Sequence, residues 1–377
     1  MIQRLSEQHL HNRLEASGMS ILCGPRASGK STVLANLRAR YGKTMLLDGD
    51  NASSRILLAI HNPEDVRHSF SGIDLLIIDE AQRFHGIKPA VQQIMSTLPQ
   101  LRLLLVCSFI SSGITAIAKT SSFIFVGPLS TTEIYDQGGL TSVTEELPQR
   151  LVYGNYPAVY LNAMDREAVL ATICKDSLHV DILQTQGIRR PSLLNRLLLV
   201  LAMKLGSQVT YSELAAEAGM DTKTAEKYLD LLERAFLVYR IWSYSAKVAN
   251  ELRHSFKVYF WDNGIRNWAV ADFRGIDKRQ DADVLWQNYF ITERRKAMLY
   301  SAKGVRQHFW RSTQKQEVGL VELSGRRMAA YGMKWAPTKI LRIPLTFRNN
   351  YPYARLETVN RFNYLAHTLQ SQMTIAL

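Results

Sequence analysis

The chain has 377 residues, of which 46% are hydrophobic and 21% are charged. This composition is typical of a globular protein and excludes a disordered or fibrous chain. The formal net charge is +13 at pH 7, and residues 244–377 hold 22 Lys and Arg against 10 Asp and Glu, so almost the whole excess lies in the last third. Such asymmetry predicts a polyanionic partner for that part of the chain.

No stretch is predicted to cross a membrane, because the longest apolar candidate, residues 193–206, is interrupted by polar and charged side chains. Residues 1–18 lack the apolar core of a secretory signal peptide. The three cysteines lie far apart, without metal-ligand spacing, at Cys23, Cys107 and Cys174. We therefore expect a cytoplasmic protein with reduced thiols and no membrane partner.

The first predicted strand, residues 19–23, runs into the sequence GPRASGKS, and a helical stretch follows it. This is the pattern G-x-x-x-x-G-K-[ST] between a strand and a helix, which is typical of a phosphate-binding P-loop. Its glycines let backbone N–H groups turn toward phosphate oxygens, and the amino end of the helix adds positive potential. We expect Lys30 to reach the β- and γ-phosphates and Ser31 to bind Mg²⁺. The predicted nucleotide-binding residues are Gly24, Pro25, Arg26, Ala27, Ser28, Gly29, Lys30, Ser31 and Thr32.

Residues 74–82, DLLIIDEAQ, predict a buried strand that ends in two acids. Asp79 is the candidate Mg²⁺ ligand, either directly or through water. Glu80 is the candidate catalytic residue that polarises the attacking water. An apolar strand followed by paired acids is expected beside a P-loop, because the carboxylates hold the metal that accompanies the triphosphate.

A later predicted strand, LRLLLVCS, ends in Ser108, which is a candidate catalytic sensor of the γ-phosphate, although Ser111 and Ser112 compete for that role. Residues 123–127, FIFVG, predict a fifth strand. Five short strands that alternate with helices predict an α/β fold with a parallel sheet covered by helices on both faces.

Residues 209–243 predict two helices separated by Gly219 and followed by a strand, which is typical of a winged helix. A DNA-recognition helix presents polar side chains near its amino end, and here Lys223 and Lys227 are candidates. Acids nearly cancel the bases in this segment, which weakens electrostatic docking. A packing role for the module therefore stays open.

The order of these segments resembles that in bacterial and archaeal AAA-like P-loop ATPases that carry a winged-helix region and a C-terminal restriction-endonuclease-like, or PD-(D/E)xK, domain. The resemblance implies a P-loop ATPase domain over residues 1–138, a helical and winged-helix domain over 139–245, and an α/β endonuclease-like domain over 246–377. It also implies ATP with Mg²⁺ as the cofactors, and a homo-oligomer if a neighbouring subunit supplies an arginine. The segments that carry it are GPRASGKS, LLIIDEAQ, PLSTTEIYD, YGNYPAVYL, KVYFWDNGIRN, LWQNYFITERRK, HFWRSTQKQEVGLVE and AAYGMKW. The candidate arginines for the ATPase site are Arg26, Arg83, Arg102 and Arg150.

The endonuclease-like domain has lost the acids of the resembled family. Such nucleases hold Mg²⁺ with carboxylates on a hairpin and a helix, while a lysine orients the attacking water. At the positions of those acids this chain has Gln287, Gly319 and Gly332, and it keeps Lys334, with Glu317 as a nearby acid on the Gly319 face. We therefore expect a basic, catalytically inactive domain that binds nucleic acid, with DNA favoured over RNA. The candidate contacts in this domain are Arg294, Arg295, Lys296, Arg311, Arg326, Arg327 and Lys334.

Two functions stay open on the sequence. The first is an ATPase that binds nucleic acid in a nucleotide-dependent way. The alternative is a nucleotide-switched signalling or scaffold ATPase whose C-terminal domain binds a protein. Salt dependence separates them, because binding through many Lys and Arg contacts weakens steeply with salt.

Overall fold

The computed structural model describes residues 2–59, 62–118, 123–184, 188, 190–244, 255–301, 304–336 and 343–369. The chain divides into two compact units rather than into the three predicted domains. The first unit comprises Met1–Gly127, Asp176–Gly187 and Arg234–Phe236, and the second comprises Pro128–Lys175, Ile188–Glu233 and Leu237–Leu377. No helix among the described residues has the length and apolar character needed to span a bilayer.

The first unit is built on a parallel sheet flanked by helices. Its strands are β1 (Met19–Cys23), β2 (Thr44–Asp48), β3 (Leu75–Asp79), β4 (Arg102–Cys107) and β5 (Phe123–Phe125), and their order in the sheet is β2-β3-β4-β1-β5. Its helices are α1 (Ser6–Ser17), α2 (Lys30–Arg38), α3 (Ala52–Leu57), α4 (Pro63–Phe70), α5 (Ile87–Thr97) and α6 (Ser112–Ile117), together with a 3-10 helix (Ala81–Arg83) and a π-helix (Ser177–Gln184).

The apolar runs of the sequence form the centre of this sheet. Leu75, Leu76, Ile77 and Ile78 of β3 are all fully buried, as a strand covered on both faces requires. On one face, side chains of α1 and α2 pack with those of the strands in a continuous apolar core. The predicted parallel α/β sheet is thus confirmed for this part of the chain. All five strands end at one edge of the sheet, which is the edge that carries the P-loop.

The second unit combines eleven α-helices among its described residues with a seven-stranded mixed sheet. The helices are α7 (Thr131–Thr144), α8 (Leu147–Tyr153), α9 (Pro157–Leu161), α10 (Arg166–Asp176), α11 (Pro191–Met203), α12 (Tyr211–Ala218), α13 (Thr222–Arg234), α14 (Asn263–Ala269), α15 (Ala282–Ser301), α16 (Leu345–Asn350) and α17 (Leu365–Thr368). The strands are β6 (Gln208–Thr210), β7 (Val238–Ser243), β8 (Ser255–Phe260), β9 (Val305–Arg311), β10 (Glu317–Ser324), β11 (Arg327–Met333) and β12 (Arg355–Val359), in the order β12-β11-β10-β9-β7-β8-β6.

The predicted boundary between residues 245 and 246 does not separate two compact units. β7 lies before this boundary, and it pairs antiparallel with β8 and parallel with β9, both of which lie after it. The strands on the two sides of the boundary therefore belong to one sheet. Sequence periodicity could not predict this, because strand pairing across many residues leaves no local pattern.

Near the end of the chain β10 and β11 form an antiparallel hairpin, with Ser324 opposite Arg327 across the turn. Gly319 lies where the pairing of β10 with β9 shifts register, which is a β-bulge. A Cβ atom at Gly319 would lie 2.9 Å from Met333 Cε and 3.6 Å from Gln287 Oε1. The missing side chain therefore makes room for Met333 beside Gln287.

Candidate nucleotide-binding site

The loop from Gly24 to Gly29 has a backbone that depends on its glycines. A Cβ atom at Gly24 would lie 1.9 Å from the carbonyl oxygen of Val126, so a larger residue does not fit there. Ala27 and Gly29 have positive φ angles of 57° and 96°. These conformations turn successive backbone groups toward one concave side. α2 then begins at Lys30, so Ser31 and Thr32 lie in its first turn.

Lys30 is buried at the centre of this loop. Its ammonium group donates hydrogen bonds to the carbonyl oxygens of Gly24 at 2.9 Å and Pro25 at 2.7 Å. Burial lowers the pKa of Lys30, and the nearby carboxylates of Glu80 and Asp79 oppose this shift. Both acids at the end of β3 are thus close enough to act electrostatically on Lys30.

The two acids at the end of β3 differ in environment. Burial raises the pKa of Asp79, although its Oδ1 accepts a 2.9 Å hydrogen bond from the Glu80 N–H. Glu80 has a left-handed backbone with φ 46°. A glutamate in this conformation is strained, and such strain clusters at functional sites. Its carboxylate accepts a 2.8 Å hydrogen bond from Ser108 Oγ.

Of the three candidate serines, Ser108 is the one whose hydroxyl is hydrogen-bonded to an acid at the end of β3. Its hydroxyl is fully buried just beyond β4, and it also accepts a 3.0 Å hydrogen bond from Gln82 Nε2. Ser111 instead caps α6 by accepting from the Ile114 N–H, and Ser112 is the first residue of that helix. Of these three described serines, Ser108 is the one that donates a hydrogen bond to Glu80.

The residues present fit a nucleotide phosphate chain with Mg²⁺. Ser28 Oγ is buried and has no hydrogen-bond partner among the described residues, and Lys30 is bonded there to loop carbonyls that an incoming phosphate can replace. The Ser31 hydroxyl and the Asp79 carboxylate are the hard oxygen ligands that Mg²⁺ prefers. One or two protein ligands suffice, because this ion usually keeps several waters and binds phosphate oxygens as well.

Asp181 is a member of this site that the sequence analysis missed. It lies in the π-helix and is 1% exposed. Its Oδ1 accepts a 2.9 Å hydrogen bond from Arg26 Nε and lies 3.0 Å from Ser108 Oγ. The available signal was a single acid within the otherwise apolar run SLHVDIL. Arg4 was missed too; it donates a 2.7 Å hydrogen bond to the carbonyl of Gly127 and another to that of Ser28.

The four candidate arginines lie in different places. Arg26 is 3.6 Å from the Glu80 carboxylate and bonded to Asp181. Arg83 pairs with Asp50 at 2.5 Å and lies 3.9 Å from Glu80. Arg102 pairs with Glu15 at the start of β4, at the end of the sheet opposite the loop. Arg150 is buried in the second unit, where it donates to Tyr289 Oη. Of the four, Arg26 and Arg83 are the ones that border the acids.

Two of the predicted nucleic-acid contacts, Arg294 and Lys296, are wrong, because their side chains lie in the interior of the second unit. Arg294 is fully buried against Glu322. Arg295 stacks on the Tyr239 ring at 4.4 Å, and burial lowers its pKa. Lys296 is 1% exposed and pairs with Glu293 at 2.5 Å. The run of three cations thus lies on a helix that is buried nearly all round.

The other predicted contacts are accessible to different degrees. Lys334 is half-buried and donates to Asp283 Oδ2 at 2.7 Å. The remaining candidates are exposed: Lys223 and Lys227 on α13, Arg311 at the end of β9, and Arg326 and Arg327 at the β10–β11 turn. Arg311 donates to Gln208 Oε1 at 2.7 Å.

Two acids lie near the residues predicted to form a degenerate nuclease-like site. Asp283, which the sequence analysis overlooked, is one helical turn from Gln287 and is held by Lys334. Glu317, expected beside Gly319, instead pairs with the buried Lys257. Each of these two acids is thus engaged by a lysine.

Comparison with known proteins supports the assignment of the first unit. Residues 16–135 match the AAA domain family, and residues 144–279 match a domain of unknown function (DUF8612). The uncharacterized protein Rv2008c of Mycobacterium tuberculosis is 26% identical over 361 residues, which are 92% of this chain and 76% of that protein. An uncharacterized protein of Haemophilus influenzae is 30% identical over 125 residues, which are 32% of this chain and 31% of that protein.

Among solved structures, the Walker-type ATPase PABY2304 of Pyrococcus abyssi aligns with a TM-score of 0.43 at 15% identity, over 72% of this chain and 96% of that one. The match of residues 16–135 to the AAA domain family agrees with the P-loop geometry of the amino-terminal part of the chain.

Proposed function

We propose that the first unit binds ATP with Mg²⁺ and hydrolyses it. The observation that supports this proposal is that Lys30, Asp79, Glu80 and Ser108 lie together at the carboxyl edge of one parallel sheet. They lie beside a loop in which position 24 has room only for glycine. When bound, the Mg²⁺–triphosphate supplies an electrophilic γ-phosphorus whose developing charge needs cationic stabilisation.

The residues of the chain have separate roles in this proposal. Lys30 leaves the carbonyls of Gly24 and Pro25 to neutralise phosphate oxygens. Ser31 and Asp79 hold the metal. Glu80 accepts the proton of the attacking water, and Ser108 fixes the Glu80 carboxylate by the hydrogen bond it already donates. Their common purpose is positioning and electrostatic stabilisation, which carry most of the catalysis in phosphoryl transfer.

We infer further that the second unit binds nucleic acid, DNA in preference to RNA. The order α11, β6, α12, α13, β7, β8 supports the predicted winged helix, and α15 with strands β9 to β12 supports the predicted endonuclease-like core. Among the described residues of 255–369, the exposed Asp and Glu are Asp277 and Glu317. Ten Lys and Arg side chains are exposed in the same described residues: Arg274, Lys278, Arg306, Arg311, Lys315, Arg326, Arg327, Arg348, Arg355 and Arg361. The surface thus keeps the positive excess of the sequence.

Part of this excess is concentrated at one end of the sheet. Arg306 lies on β9 opposite Leu323, and Ser324 lies between Val305 and Arg327 across three strands. Together with Arg326 in the turn, these residues form what we call the arginine edge: Arg306, Arg326 and Arg327. A group of exposed arginines at a strand end suits phosphate oxygens, which guanidinium groups bind in a bidentate way.

The test is the rate of ATP hydrolysis by the full chain, with and without added duplex DNA, single-stranded DNA and RNA. We expect hydrolysis that DNA stimulates. Lys30→Ala should abolish nucleotide binding, and Glu80→Gln should retain binding while slowing hydrolysis by about 10²-fold or more, because a general base contributes that much. The surface variant Lys88→Ala is the matched lysine control and should behave as the parent.

Two results would count against these proposals. If Glu80→Gln hydrolysed ATP at the parent rate, Glu80 would not be the group that accepts the proton of the attacking water. Hydrolysis that no nucleic acid stimulates would favour the alternative, a nucleotide-switched scaffold that binds a protein. A homo-oligomer that supplies an arginine beside Arg26 and Arg83 is part of the proposal. So is a reducing, cytoplasmic setting, which the buried free thiols of all three cysteines suit.

A further inference from the structure

The π-helix Ser177–Gln184 brings a carboxylate into the phosphate site of the first unit. Asp181 Oδ1 lies 2.9 Å from Arg26 Nε and 3.0 Å from Ser108 Oγ, and the side chain is 1% exposed. Arg26 belongs to the phosphate-binding loop, and Ser108 is the polar residue beyond β4. The sequence predicts Arg26 as a nucleotide-binding residue and Ser108 as a sensor of the γ-phosphate. An anionic group of the chain itself is therefore bound where a terminal phosphate is expected.

The hydrogen bonds around Asp181 leave it incompletely satisfied. Ser108 has one hydroxyl hydrogen, yet its Oγ is 2.8 Å from Glu80 Oε2 as well as 3.0 Å from Asp181 Oδ1. It cannot donate to both carboxylates at once. Asp181 Oδ2 is buried with no hydrogen-bond partner within the described part of the chain. Burial raises the pKa of Asp181, Arg26 lowers it, and Glu80 raises it further.

This incomplete satisfaction argues against a purely structural role. A buried aspartate that stabilises a fold normally has both oxygens bonded, because a buried unpaired acceptor costs free energy. Arg26 Nη2 is similarly buried without a hydrogen-bond partner among the described residues, 3.6 Å from Glu80 Oε2. Two acids therefore compete for one arginine and one hydroxyl. Such a cluster is ready to rearrange when a stronger anion arrives.

We propose that Asp181 occupies the terminal-phosphate position, so that the site accepts a nucleoside diphosphate as it stands and a triphosphate only after Asp181 withdraws. This rests on the proposed nucleotide-binding function. A γ-phosphate placed beside Arg26 and Ser108 meets the like charge of Asp181 at a few ångströms and is repelled. Withdrawal of Asp181 frees Arg26 for the phosphate. Asp181 is thus a specificity-determining residue that sets the preference between di- and triphosphate.

The experiment compares equilibrium affinities of the full chain for ADP and for a non-hydrolysable ATP analogue, both with Mg²⁺, by calorimetry. Asp181→Asn and Asp181→Ala should tighten binding of the analogue by about tenfold or more, because one like charge is removed at close range. Binding of ADP should change less than about twofold, since no phosphate reaches Asp181. Asp176→Asn, an exposed aspartate just before the π-helix, is the matched control and should change neither affinity.

A second measurement uses the unaltered chain. Lys175 is exposed immediately before Asp176, so trypsin can report on the attachment of the π-helix. The ATP analogue should speed cleavage after Lys175, and ADP should not. Equal shifts of both affinities, weaker analogue binding in the Asp181 variants, or equal cleavage with the two nucleotides would overturn this inference alone. Failure of the parent and the variants to bind either nucleotide would overturn the proposed function as well.

Discussion

Arg294 shows how a charged side chain can lie inside this protein. Arg294 and Glu322 are both fully buried and form an ion pair with two hydrogen bonds. Arg294 Nη1 also donates to the His367 carbonyl at 2.7 Å, and Tyr331 Oη donates to Glu322 at 3.3 Å. A buried ion pair is tolerated when its remaining donors and acceptors are satisfied in this way. Arg294 is therefore a structural residue rather than a contact for a polyanion.

The first prediction concerns this pair. Arg294→Ala should lower the free energy of unfolding by about 3–5 kcal/mol, because it leaves the Glu322 carboxylate buried without its partner. Chemical denaturation measures the decrease. Arg274→Ala removes an exposed arginine paired with Asp272 and should cost less than about 1 kcal/mol. Similar decreases in both variants would contradict the structural role of Arg294.

Single residues of the nucleotide site could be predicted because their pattern is local. The spacing from Gly24 to Ser31 and the acids at the end of β3 are dictated by backbone geometry and metal chemistry within short segments. Arg294 could not be placed in the same way. Net charge counts cations without their partners, and Glu322 lies 28 residues away on another element. Asp181 was missed for the same reason, since it reaches Ser108 from 73 residues further along the chain.

At the scale of elements, the start of α14 depends on a glycine in a distant turn. Asp262 caps α14 by accepting from the Gly264 N–H at 2.8 Å, and its other oxygen accepts from the Asn155 N–H at 2.6 Å. Gly154 has φ 79°, and a Cβ atom there would lie 1.8 Å from Asp262 Oδ1. The segment YGNYPAVYL was recognisable in the sequence as part of a resemblance. The physical reason for the glycine in this segment is the close approach of the turn to the buried cap of α14, which can be seen only in the three-dimensional structure.

The second prediction follows from this contact. Gly154→Ala should destabilise the chain by about 2 kcal/mol or more, because the positive φ strains an alanine backbone and the added Cβ clashes with Asp262. Gly325→Ala is the matched control: Gly325 also has a positive φ, of 59°, but nothing among the described residues lies within 4 Å of the added Cβ. It should show only the backbone cost of about 1 kcal/mol. Thermal unfolding of both variants gives the comparison, and equal destabilisation would show that the Asp262 contact is unimportant.

Asp262 also makes stability depend on pH. Burial raises its pKa to about 6, above the ordinary value of an aspartate. The folded chain therefore binds this proton more tightly than the unfolded chain does, so the contribution of Asp262 to stability falls as pH rises from about 4 to about 6 and is constant above that range. This contribution opposes the usual acid denaturation by paired carboxylates. Chemical denaturation of the parent and of Asp262→Asn across this pH range measures it, and curves of equal slope would contradict the raised pKa.

At the scale of the whole molecule, pairing of charges leaves the basic character of the chain at its surface. In the last third, several acids are consumed by buried or half-buried cations, as in the pairs of Glu322 with Arg294 and Glu317 with Lys257. Each such pair contains one positive and one negative charge, so pairing does not change the excess of cations over acids. That excess is therefore carried by the exposed side chains. A net charge read from the sequence thus predicts the sign of the surface charge, but it does not show which of the cations are buried, as Arg294 and Lys296 are.

The last prediction tests the arginine edge. Changing Arg306, Arg326 and Arg327 together to Ala should weaken DNA binding and reduce the slope of log K against log salt by about 0.9 for each phosphate group that is no longer neutralised, close to 3 in total for duplex DNA. The same three residues changed to Lys keep the charge and should keep most of that slope, because counterion release depends on charge rather than on guanidinium geometry. Titration of a labelled duplex at several salt concentrations measures both. A slope that the Ala variant leaves unchanged would move the contact surface away from this edge, and binding without salt dependence in the parent would favour a protein partner, since only a polyanion releases counterions when cations bind it.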